Sequence, residues 1–442
     1  MIRNRSHLAT SPARELALEC LEAGIDAADP EYVFESSLSV RNGILHIDGT
    51  QYDLTRYARV LVVGGGKAAA RQAMALERIL DGYLDEGVVV TNEPTESALV
   101  DVLPGAHPVP SAEGVTSTER LLELVSGADQ DTIVFVPISG GGSALMTAPI
   151  GEISLSDIQD LTTSLLDSGA TIHEINAVRK HCSRIKGGGL TRAAAPATVV
   201  GLIMSDVVGD DLSVIASGPT VADETTYADA AAVLDRYGIE PAVAIQRHLD
   251  AGLEGRQEET PAPSDPIFKR VSNHLLADSG TAVRAAVEAV SGHPHEPLIL
   301  STRIRGEARE AAKTHVAIGE EILASHNPVA PPAVLLSGGE TTVTVRGSGT
   351  GGPNQEFTLS AALELSSGLT LAAIDTDGID GASEYAGGIV DQTTVDDQHR
   401  ARQALDDNDA STLLARSGDI VETGPTGTNI NDLRILVVDA DY

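Results

Sequence analysis

The stretch Arg59–Ala73 reads RVLVVGGGKAAARQA, and it decides how the first half of the chain is interpreted. Four apolar residues are followed by three glycines, a lysine and an alanine-rich segment that favours a helix. Gly64, Gly66 and Ala69 fit the pattern G-x-G-x-x-A, which is typical of a dinucleotide-binding turn between a strand and a helix. A lysine directly after such a turn also suits phosphoryl transfer. The stretch therefore predicts a strand, a turn and a helix, and it leaves two functions open.

The length and composition indicate a large globular protein. The chain has 442 residues, which favours two domains, and 42% of them are hydrophobic, which is sufficient for large cores. No apolar run reaches the roughly 18 residues of a membrane-spanning helix, and the N-terminal segment lacks the apolar core of a signal peptide. Cys20 and Cys182 belong to no paired motif, so neither a disulfide framework nor a zinc site is indicated. We expect a soluble, cytoplasmic protein with no membrane partner.

The charge is strongly negative, with 64 Asp and Glu against 30 Lys and Arg and a net charge of −34. Such a field repels nucleic acid, which we therefore exclude as a partner. Carboxylates spread along a chain with only five lysines suggest a halophilic protein, because a Debye length of about 3 Å at 1 M salt screens self-repulsion. Maximal stability in dilute buffer would contradict this interpretation. An anionic substrate would need a locally positive pocket.

The order of apolar and helical segments predicts an α/β fold. Continuous apolar strands separated by helical segments are typical of parallel sheets covered on both faces. Residues 11–28 predict an amphipathic helix, and the charged, proline-containing residues 253–268 predict an exposed connection. We predict a Rossmann-like parallel-sheet N-terminal domain over 1–270 and a C-terminal region over 271–442 with a smaller mixed sheet.

Glycine and polar residues occur together after several predicted strands, at the edge where open α/β sheets bind ligands. There are eight such turns: 64–67, 139–143, 205–211, 217–220, 337–342, 347–356, 375–381 and 423–432. One glycine turn alone is more often structural than functional. SGGGS at 139–143, with its run of bare amides, nevertheless suits a phosphate group. It is not a Walker A loop, because G-x-x-x-x-G-K-[ST] is absent from the chain.

Acidic residues in these turns could hold Mg²⁺, which takes one or two carboxylates together with phosphate oxygens. Any single acid is more simply a helix cap or an Asx turn. At least one of five is nevertheless expected to bind metal: Asp206, Asp210, Glu340, Asp377 and Asp380. His107, His173 and His181 lack metal-ligand spacing and are expected at the surface or in turns.

A basic segment stands out in this acidic chain. Residues 175–190 read INAVRKHCSRIKGGGL and contain four cations, Arg179, Lys180, Arg184 and Lys186. Cations before glycines stabilise the carboxyl end of a helix. They would also supply the positive pocket that an anionic substrate needs, and the sequence leaves both interpretations open.

The dinucleotide interpretation fits the rest of the chain poorly. It predicts an acid about 20 residues beyond the turn, whereas Glu93 lies 29 residues beyond Gly64. Lys67 stands where a pyrophosphate-binding turn usually has a small or apolar residue. A kinase needs several anion-binding turns, for a nucleoside triphosphate and an anionic acceptor, whereas a dehydrogenase leaves most of these turns unexplained. The whole chain therefore favours a kinase.

Nine segments between residues 60 and 438 together resemble the glycerate 2-kinase family, whose C-terminal part is called the MOFRL domain. They are VVGGGKAAARQAMA, HPVPSAEG, VPISGGGSALM, NAVRKHCSRIKGGGL, SDVVGDDLSVIASGPT, LSGGETTVTV, GGPNQE, TDGIDGASEYAGG and TGPTGTNINDL. The resemblance implies a Rossmann-like domain, a mixed α/β MOFRL domain at about 330–438, and an active site in the cleft between them. It also implies ATP- and Mg²⁺-dependent phosphorylation of D-glycerate at its 2-hydroxyl, with Lys67 matching the family's essential lysine. Some members have been named hydroxypyruvate reductases.

Two positions depart from the family pattern. The family commonly reads GGRNQE where this chain has Pro353, and KGGRL where it has Gly189. Proline cannot supply the charge of an arginine. Either Arg179, Arg303 or Arg346 supplies that charge, or the acceptor is not glycerate.

We predict in-line transfer of the γ-phosphoryl group of ATP to D-glycerate. Lys67 is expected to stabilise charge on the transferring group, and Asp206 or Asp377 to position or deprotonate the acceptor. The expected nucleotide-binding residues are Gly64, Gly65, Gly66, Ser139, Gly140, Gly141, Gly142, Ser143, Gly338, Gly339, Glu340, Asn354 and Glu356. Arg179 and Lys186 are expected to bind glycerate, and Asp206, Asp210 and Asp377 to bind Mg²⁺. The alternatives are an NAD(P)H-dependent hydroxypyruvate reductase, a kinase of another hydroxy acid, and a non-catalytic nucleotide-binding regulator; a homodimer is an open alternative to a monomer.

Overall fold

The computed structural model describes residues 1–439. Two compact units make up the described chain: the parallel-sheet unit, residues 33–276, and the mixed-sheet unit, residues 1–32 together with 277–439. No helix within the described residues combines the length and the apolar character needed to cross a membrane.

The first part of the chain forms a small sheet and a large sheet with their helices. Three helices come first, α1 (Arg5–Leu8), α2 (Pro12–Ala27) and α3 (Pro30–Ser37). A small antiparallel sheet follows, made of β1 (Leu38–Arg41), β2 (Ile44–Ile47) and β3 (Thr50–Asp53). The large sheet contains β4 (Arg59–Gly65), β5 (Glu86–Thr91), β6 (Val100–Pro104), β7 (Thr132–Ile138), β8 (Thr198–Met204) and β9 (Val271–Ala277). Its helices are α4 (Ala69–Ile79), α5 (Ala112–Ser126), α6 (Gly142–Leu145), α7 (Leu155–Asp167), α8 (Ile172–His181), α9 (Gly189–Ala194), α10 (Tyr227–Tyr237) and α11 (Val243–Leu253).

The large sheet has the strand order β6-β5-β4-β7-β8-β9, and the pairs from β6 through β8 are parallel. This is the 3-2-1-4-5-6 order of Rossmann-type doubly wound sheets. Ligands bind such sheets beyond the carboxyl ends of the strands, at the point where the order reverses. Here that point lies between β4 and β7. Both strands and β8 are almost entirely buried, as expected for parallel strands covered on both faces.

Gly64 lies in β4 where the backbone of β7 comes close. A Cβ atom at this position would overlap with the carbonyl oxygen of Pro137, so no side chain fits unless two central strands separate. We expect Gly64→Ala to lower the free energy of unfolding by about 3 kcal/mol, measured by urea denaturation. Gly127→Ala is the control, because the nearest atom there would be 3.6 Å away. Equal stability of the two variants would contradict the packing argument.

The mixed-sheet unit adds five helices and six strands to α1 and α2. The strands are β10 (Glu296–Ile304), β11 (Ala333–Gly339), β12 (Leu369–Asp375), β13 (Gly387–Asp391), β14 (Ile420–Val421) and β15 (Asp432–Val438). The helices are α12 (Ser279–Val290), α13 (Ala308–Ser325), α14 (Pro353–Ala362), α15 (Gln398–Asp406) and α16 (Ala410–Ser417). The strand order is β10-β11-β15-β12-β13-β14, in which β10 and β11 are parallel and the other pairs antiparallel. The predicted combination of a parallel sheet and a mixed sheet is confirmed.

The first 32 residues belong to the mixed-sheet unit, because α2 packs against α12 and β15. Arg14 of α2 is buried and forms an ion pair with Asp391, at 2.6 Å, in the same unit. The sequence predicted one boundary, at residue 270, with the N-terminal helix in the first domain. The amphipathic pattern of α2 specifies a buried face but not the sheet that covers it.

Candidate active site

The loops after the neighbouring strands β4, β7 and β8 lie against one another. The backbone amide of Lys67 donates a hydrogen bond to the carbonyl oxygen of Gly140 (2.8 Å), and the amide of Ala68 donates to Ser139 Oγ (3.0 Å). A Cβ atom on Gly140 would overlap with the carboxylate of Asp206, so this carboxylate lies directly against the glycine loop. The structure therefore brings the glycine–lysine turn, the SGGGS loop (residues 139–143) and Asp206 into one cluster.

The SGGGS loop also approaches two cationic or titratable side chains. Gly141 has φ = +79°, a left-handed conformation that favours glycine, and it precedes α6. A Cβ atom there would lie 3.1 Å from the ring of His107 and 3.2 Å from Cγ of Lys67. His107 is exposed and lies in a bend of the chain, as predicted. Its position beside the SGGGS loop was not predicted. His181, in contrast, is only 1% exposed, so the prediction of a surface or turn position for it was wrong.

Arg179 and Lys186 line a cavity beside this loop, together with Ser143. Lys186 is 6% exposed, and its ammonium group donates hydrogen bonds to the carbonyl oxygens of Ser143 (2.6 Å) and Met146 (3.3 Å). Burial, together with the charge of Arg179, lowers the pKa of Lys186 well below its usual value, and burial lowers the pKa of Arg179. Across residues 1–439 neither cation has a carboxylate within ion-pairing distance. Two neighbouring cations without an acidic partner favour the binding of an anion.

The other two cations of the basic segment have structural partners. Lys180 is buried and pairs with the buried Asp223 at 3.2 Å. Arg184 pairs with Glu119 at the surface. Within residues 1–439, two cations of the segment, Lys180 and Arg184, therefore form ion pairs, and two, Arg179 and Lys186, do not. The sequence alone did not distinguish between them.

Ser217 begins the predicted turn at 217–220, but the sequence assigned no role to its side chain. Its hydroxyl lies 2.8 Å from that of Ser143 and donates a hydrogen bond to Asn176 Oδ1 (3.0 Å). Ala216 and Ser217 both have positive φ, +50° and +60°, an unfavourable backbone conformation for residues other than glycine. Such strain persists where the surrounding structure requires it. The glycine-containing turn at 217–220 was the sequence feature that could have indicated a role for Ser217.

The predicted ligands of the mixed-sheet unit lie at the ends of β11 and β12 and at the start of α14. Gly338 and Gly339 end β11, and Glu340 follows them directly. Asn354 and Glu356 lie in the first turn of α14. Asp377 follows β12. The side-chain amide of Asn354 donates hydrogen bonds to Asp380 (3.2 Å) and Asp432 (2.6 Å).

Glu356 is buried and is held by two structural partners. It is 1% exposed, forms an ion pair with Arg309 at 2.7 Å and accepts a hydrogen bond from Asn408 (3.1 Å). Burial raises the pKa of Glu356, while Arg309 acts in the opposite direction. Its other oxygen, Oε2, has no hydrogen-bond partner within residues 1–439, and nucleotide binding by Glu356 stays a prediction.

Pro353 is the first residue of α14, where a missing N–H is tolerated and a fixed φ favours the helix. The carboxylate of Asp380 accepts hydrogen bonds from the next two amides, those of Asn354 (3.0 Å) and Gln355 (2.8 Å). Of the arginines considered as replacements for the missing charge, Arg179 lies beside the SGGGS loop. The other two, at 303 and 346, are exposed residues of the mixed-sheet unit.

The buried carboxyl group of Asp380 makes the stability depend on pH. Burial raises its pKa from 3.8 to about 7, so between these values the folded protein binds a proton that the unfolded chain has released. The contribution of this group to the free energy of unfolding therefore falls as the pH rises from about 4 to 7, by up to about 4 kcal/mol.

His315 acts in the opposite direction, because burial lowers its pKa to about 4. The test is therefore the difference in unfolding free energy between the wild type and Asp380→Asn, measured across this pH interval. We expect the variant to lose relative stability at acidic pH. A difference that does not change with pH would contradict the assignment.

Three predicted metal ligands lie in acidic turns. Asp206 and Asp210 follow β8, and Asp377 follows β12 of the other unit. Among residues 1–439, no group of three or more His, Cys, Asp or Glu side chains is placed to hold a metal ion. Mg²⁺ needs only one or two carboxylates where phosphate oxygens complete its coordination. The donor chemistry of Asp206 and Asp210 fits this requirement.

The fold and these loops define an α/β protein in which Lys67, the SGGGS loop and Asp206 lie together at the switch point of a doubly wound sheet. A family model described as a domain of unknown function, DUF4147, matches residues 16–250, and the MOFRL family model matches 333–432. The chain is 39% identical to the glycerate 2-kinase of Pyrococcus horikoshii, over 96% of this chain and 97% of that protein. It is 39% identical, over 96% of this chain and 94% of that protein, to an Agrobacterium vitis protein that carries a hydroxypyruvate reductase name.

A solved structure leads to the same family. The crystal structure of glycerate kinase from Thermotoga maritima matches with a TM-score of 0.85 and 37% identity, over 96% of this chain and 99% of that chain. The protein belongs to the glycerate kinase family and carries a C-terminal MOFRL domain. The family resemblance predicted from its sequence is confirmed.

Proposed function

We propose that this protein is a glycerate 2-kinase that transfers the γ-phosphoryl group of ATP to the 2-hydroxyl of D-glycerate. One observation carries the proposal: Lys67, the SGGGS loop and Asp206 form a single cluster at the switch point of the sheet. Membership of the glycerate kinase family supports the same reaction class.

Lys67 and the SGGGS loop are proposed to bind the phosphates. The loop carries glycines, whose amides a phosphate can approach closely, and the hydroxyls of Ser139 and Ser143. The hydrogen bond from the Lys67 amide to Gly140 fixes the backbone from which the lysine side chain extends. A positive charge held in this way stabilises the negative charge on the transferring phosphoryl group.

Asp206 is proposed to accept the proton of the acceptor hydroxyl. In the reaction the 2-hydroxyl oxygen of glycerate bonds to the γ-phosphorus, the bond from that phosphorus to the bridging oxygen breaks, and ADP leaves. The hydroxyl proton passes to the carboxylate. Asp206 is preferred to Asp377 because it lies against Gly140 of the SGGGS loop.

In the parallel-sheet unit Asp210 would hold Mg²⁺, and Asp206 would join it as a ligand in the alternative in which Asp377 is the base. When bound, Mg²⁺ neutralises charge on the phosphate oxygens. Asp377 remains the third predicted ligand. ATP as the nucleotide and Mg²⁺ as the metal are part of the proposal.

Arg179 and Lys186 are proposed to bind the carboxylate of glycerate, because they are unpaired cations beside the SGGGS loop. We expect Arg179→Met to raise KM for glycerate by about 10- to 100-fold and to change KM for ATP little, because a charge-assisted hydrogen bond is lost. Arg247→Met, at an exposed position of α11, is the control. An unchanged KM for glycerate would contradict this role.

The competing activity is reduction of hydroxypyruvate, because the Agrobacterium vitis relative carries a hydroxypyruvate reductase name. Two assays on one preparation separate the alternatives: ADP formation that depends on D-glycerate, and NADH or NADPH oxidation that depends on hydroxypyruvate. We expect the first activity and not the second. Oxidation of the reduced nicotinamide without ADP formation would favour the reductase.

The net charge of −34 also sets the conditions for these assays. Salt near 1 M shortens the Debye length to about 3 Å and would screen the repulsion among carboxylates. We therefore propose concentrated KCl as the assay medium. Halophilic stability, a cytoplasmic location and a homodimer remain predictions.

A further inference from the structure

A second cavity of about 400 Å³ lies beside α8 in the parallel-sheet unit. Its lining includes His173, Asn176, Lys180, Asp211, Asp223 and Thr225. These residues are not among those proposed above to bind phosphate or glycerate. The volume falls within the range of roughly 300–1,000 Å³ that is typical of pockets for drug-sized ligands.

The inner wall of this cavity is a fixed polar surface. Asn176 is 2% exposed and accepts a hydrogen bond at Oδ1 from Ser217, while its Nδ2 has no hydrogen-bond partner in the part of the chain that the structure describes. The buried Asp223 pairs with Lys180 and also accepts hydrogen bonds from the Thr225 hydroxyl (2.8 Å) and the Thr260 hydroxyl (3.0 Å). An unsatisfied buried donor beside a rigid ion pair is suited to a ligand that supplies an acceptor.

The charges around the cavity indicate a neutral, hydroxylated ligand. The ion pair of Lys180 and Asp223 carries no net charge. The more exposed Asp211 and Glu224 are acidic, and His173 Nδ1 lies 3.9 Å from the Asp211 carboxylate. These carboxylates would repel a phosphate group. Carboxylates readily accept hydrogen bonds from ribose hydroxyls, as they do in dinucleotide-binding folds.

The cavity is linked to the SGGGS loop by side-chain hydrogen bonds. Asn176 contacts Ser217, and Ser217 contacts Ser143 of that loop at 2.8 Å. Asn176 also precedes Arg179 by three residues and Lys180 by four, so it neighbours both on the surface of α8. We propose that this cavity holds the ribose and base of the nucleotide, with its phosphates extending to the SGGGS loop. The assignment rests on the proposed kinase function.

The test compares a nucleotide with a phosphate chain that has no nucleoside. Ala222→Trp places a large side chain at a residue that lines the cavity, and Asn176→Asp replaces the unpartnered donor with an oxygen while keeping an acceptor for Ser217. Calorimetry would measure the binding of ADP and of inorganic tripolyphosphate to each variant. We expect at least about tenfold weaker ADP binding in both variants, with tripolyphosphate binding within about twofold of the wild type. Ala330→Trp and Asn42→Asp, both at exposed positions, are the matched controls.

Each outcome decides the assignment. Unchanged ADP affinity in both variants, or equal losses of ADP and tripolyphosphate affinity, would overturn it, as would a wild-type protein that does not bind ADP. Retained tripolyphosphate binding shows that a variant is folded at its phosphate loop. The variants could show the expected pattern of ADP and tripolyphosphate binding while the wild type binds ADP but does not phosphorylate glycerate. That result would contradict the proposed function and would still support the assignment of the cavity to the nucleoside.

Discussion

Lys67→Ala is expected to lower kcat for glycerate phosphorylation by about a thousandfold, with KM for ATP changed only a few fold. Removing one preorganised donor from a site of developing charge typically costs about 10²–10³ in kcat, and here a full positive charge is lost. The backbone of Lys67 is fixed against Gly140 and its Cγ lies beside Gly141, so the lysine is held against the loop proposed to bind the phosphates. Steady-state kinetics with varied ATP and glycerate would measure the change.

The controls for this variant separate a local effect from a general one. The protein carries a net charge of −34, so losing any cation increases its self-repulsion. Lys313→Ala removes an exposed lysine of α13 that pairs with Glu310 at 2.8 Å, and it should keep wild-type kcat. Lys67→Arg keeps the charge on a different shape and should recover part of the activity. A Lys67→Ala enzyme within about tenfold of the wild type would contradict the role of Lys67.

Asp206→Asn is expected to lower kcat by about 10²–10⁴, because an amide cannot accept the hydroxyl proton. The substitution keeps the size of the side chain that lies against Gly140, so the loop should keep its fold. The loss of rate should be accompanied by loss of the acidic limb of the pH–rate profile, which a purely structural role would not change. Kinetics across the acidic and neutral range would show both effects.

Two further variants complete the experiment on Asp206. Asp160→Asn, at an exposed position of α7, controls for the loss of one carboxylate from a highly charged protein. Asp377→Asn tests the other candidate base directly. A wild-type pH profile in Asp206→Asn, together with its loss in Asp377→Asn, would transfer the role to Asp377.

The parallel sheet could be predicted because its buried strands have a clear sequence pattern. Residues 60–63 and 133–138 are continuous apolar runs that end at glycine turns, as buried parallel strands do. The carboxyl ends of neighbouring parallel strands meet at one edge, which explains why Lys67, the SGGGS loop and Asp206 lie together. The sequence predicted turns at that edge but not the order of the strands. The placement of α2 did not follow, because its apolar face could cover either sheet.

Pairing over long sequence separations limited the prediction of the site. Lys180 and Lys186 look alike in the sequence, but Lys180 meets Asp223, 43 residues away, whereas Lys186 meets two carbonyl oxygens. Glu356 looked like a ligand because it follows glycines, but its partners come from positions 309 and 408. Such partners become visible only when the chain is folded.

The most direct measurement is the product of the wild-type enzyme with ATP, Mg²⁺ and D-glycerate in concentrated KCl, identified by ³¹P and ¹H NMR. The proposed function predicts 2-phosphoglycerate, with phosphorus coupled to the single proton on C2, and about a thousandfold slower formation of this product by Lys67→Ala. The folded wild-type protein forming no phosphoglycerate, or forming the 3-phosphate, would contradict it. Absence of product would direct attention to Pro353 and to other hydroxy acids as acceptors.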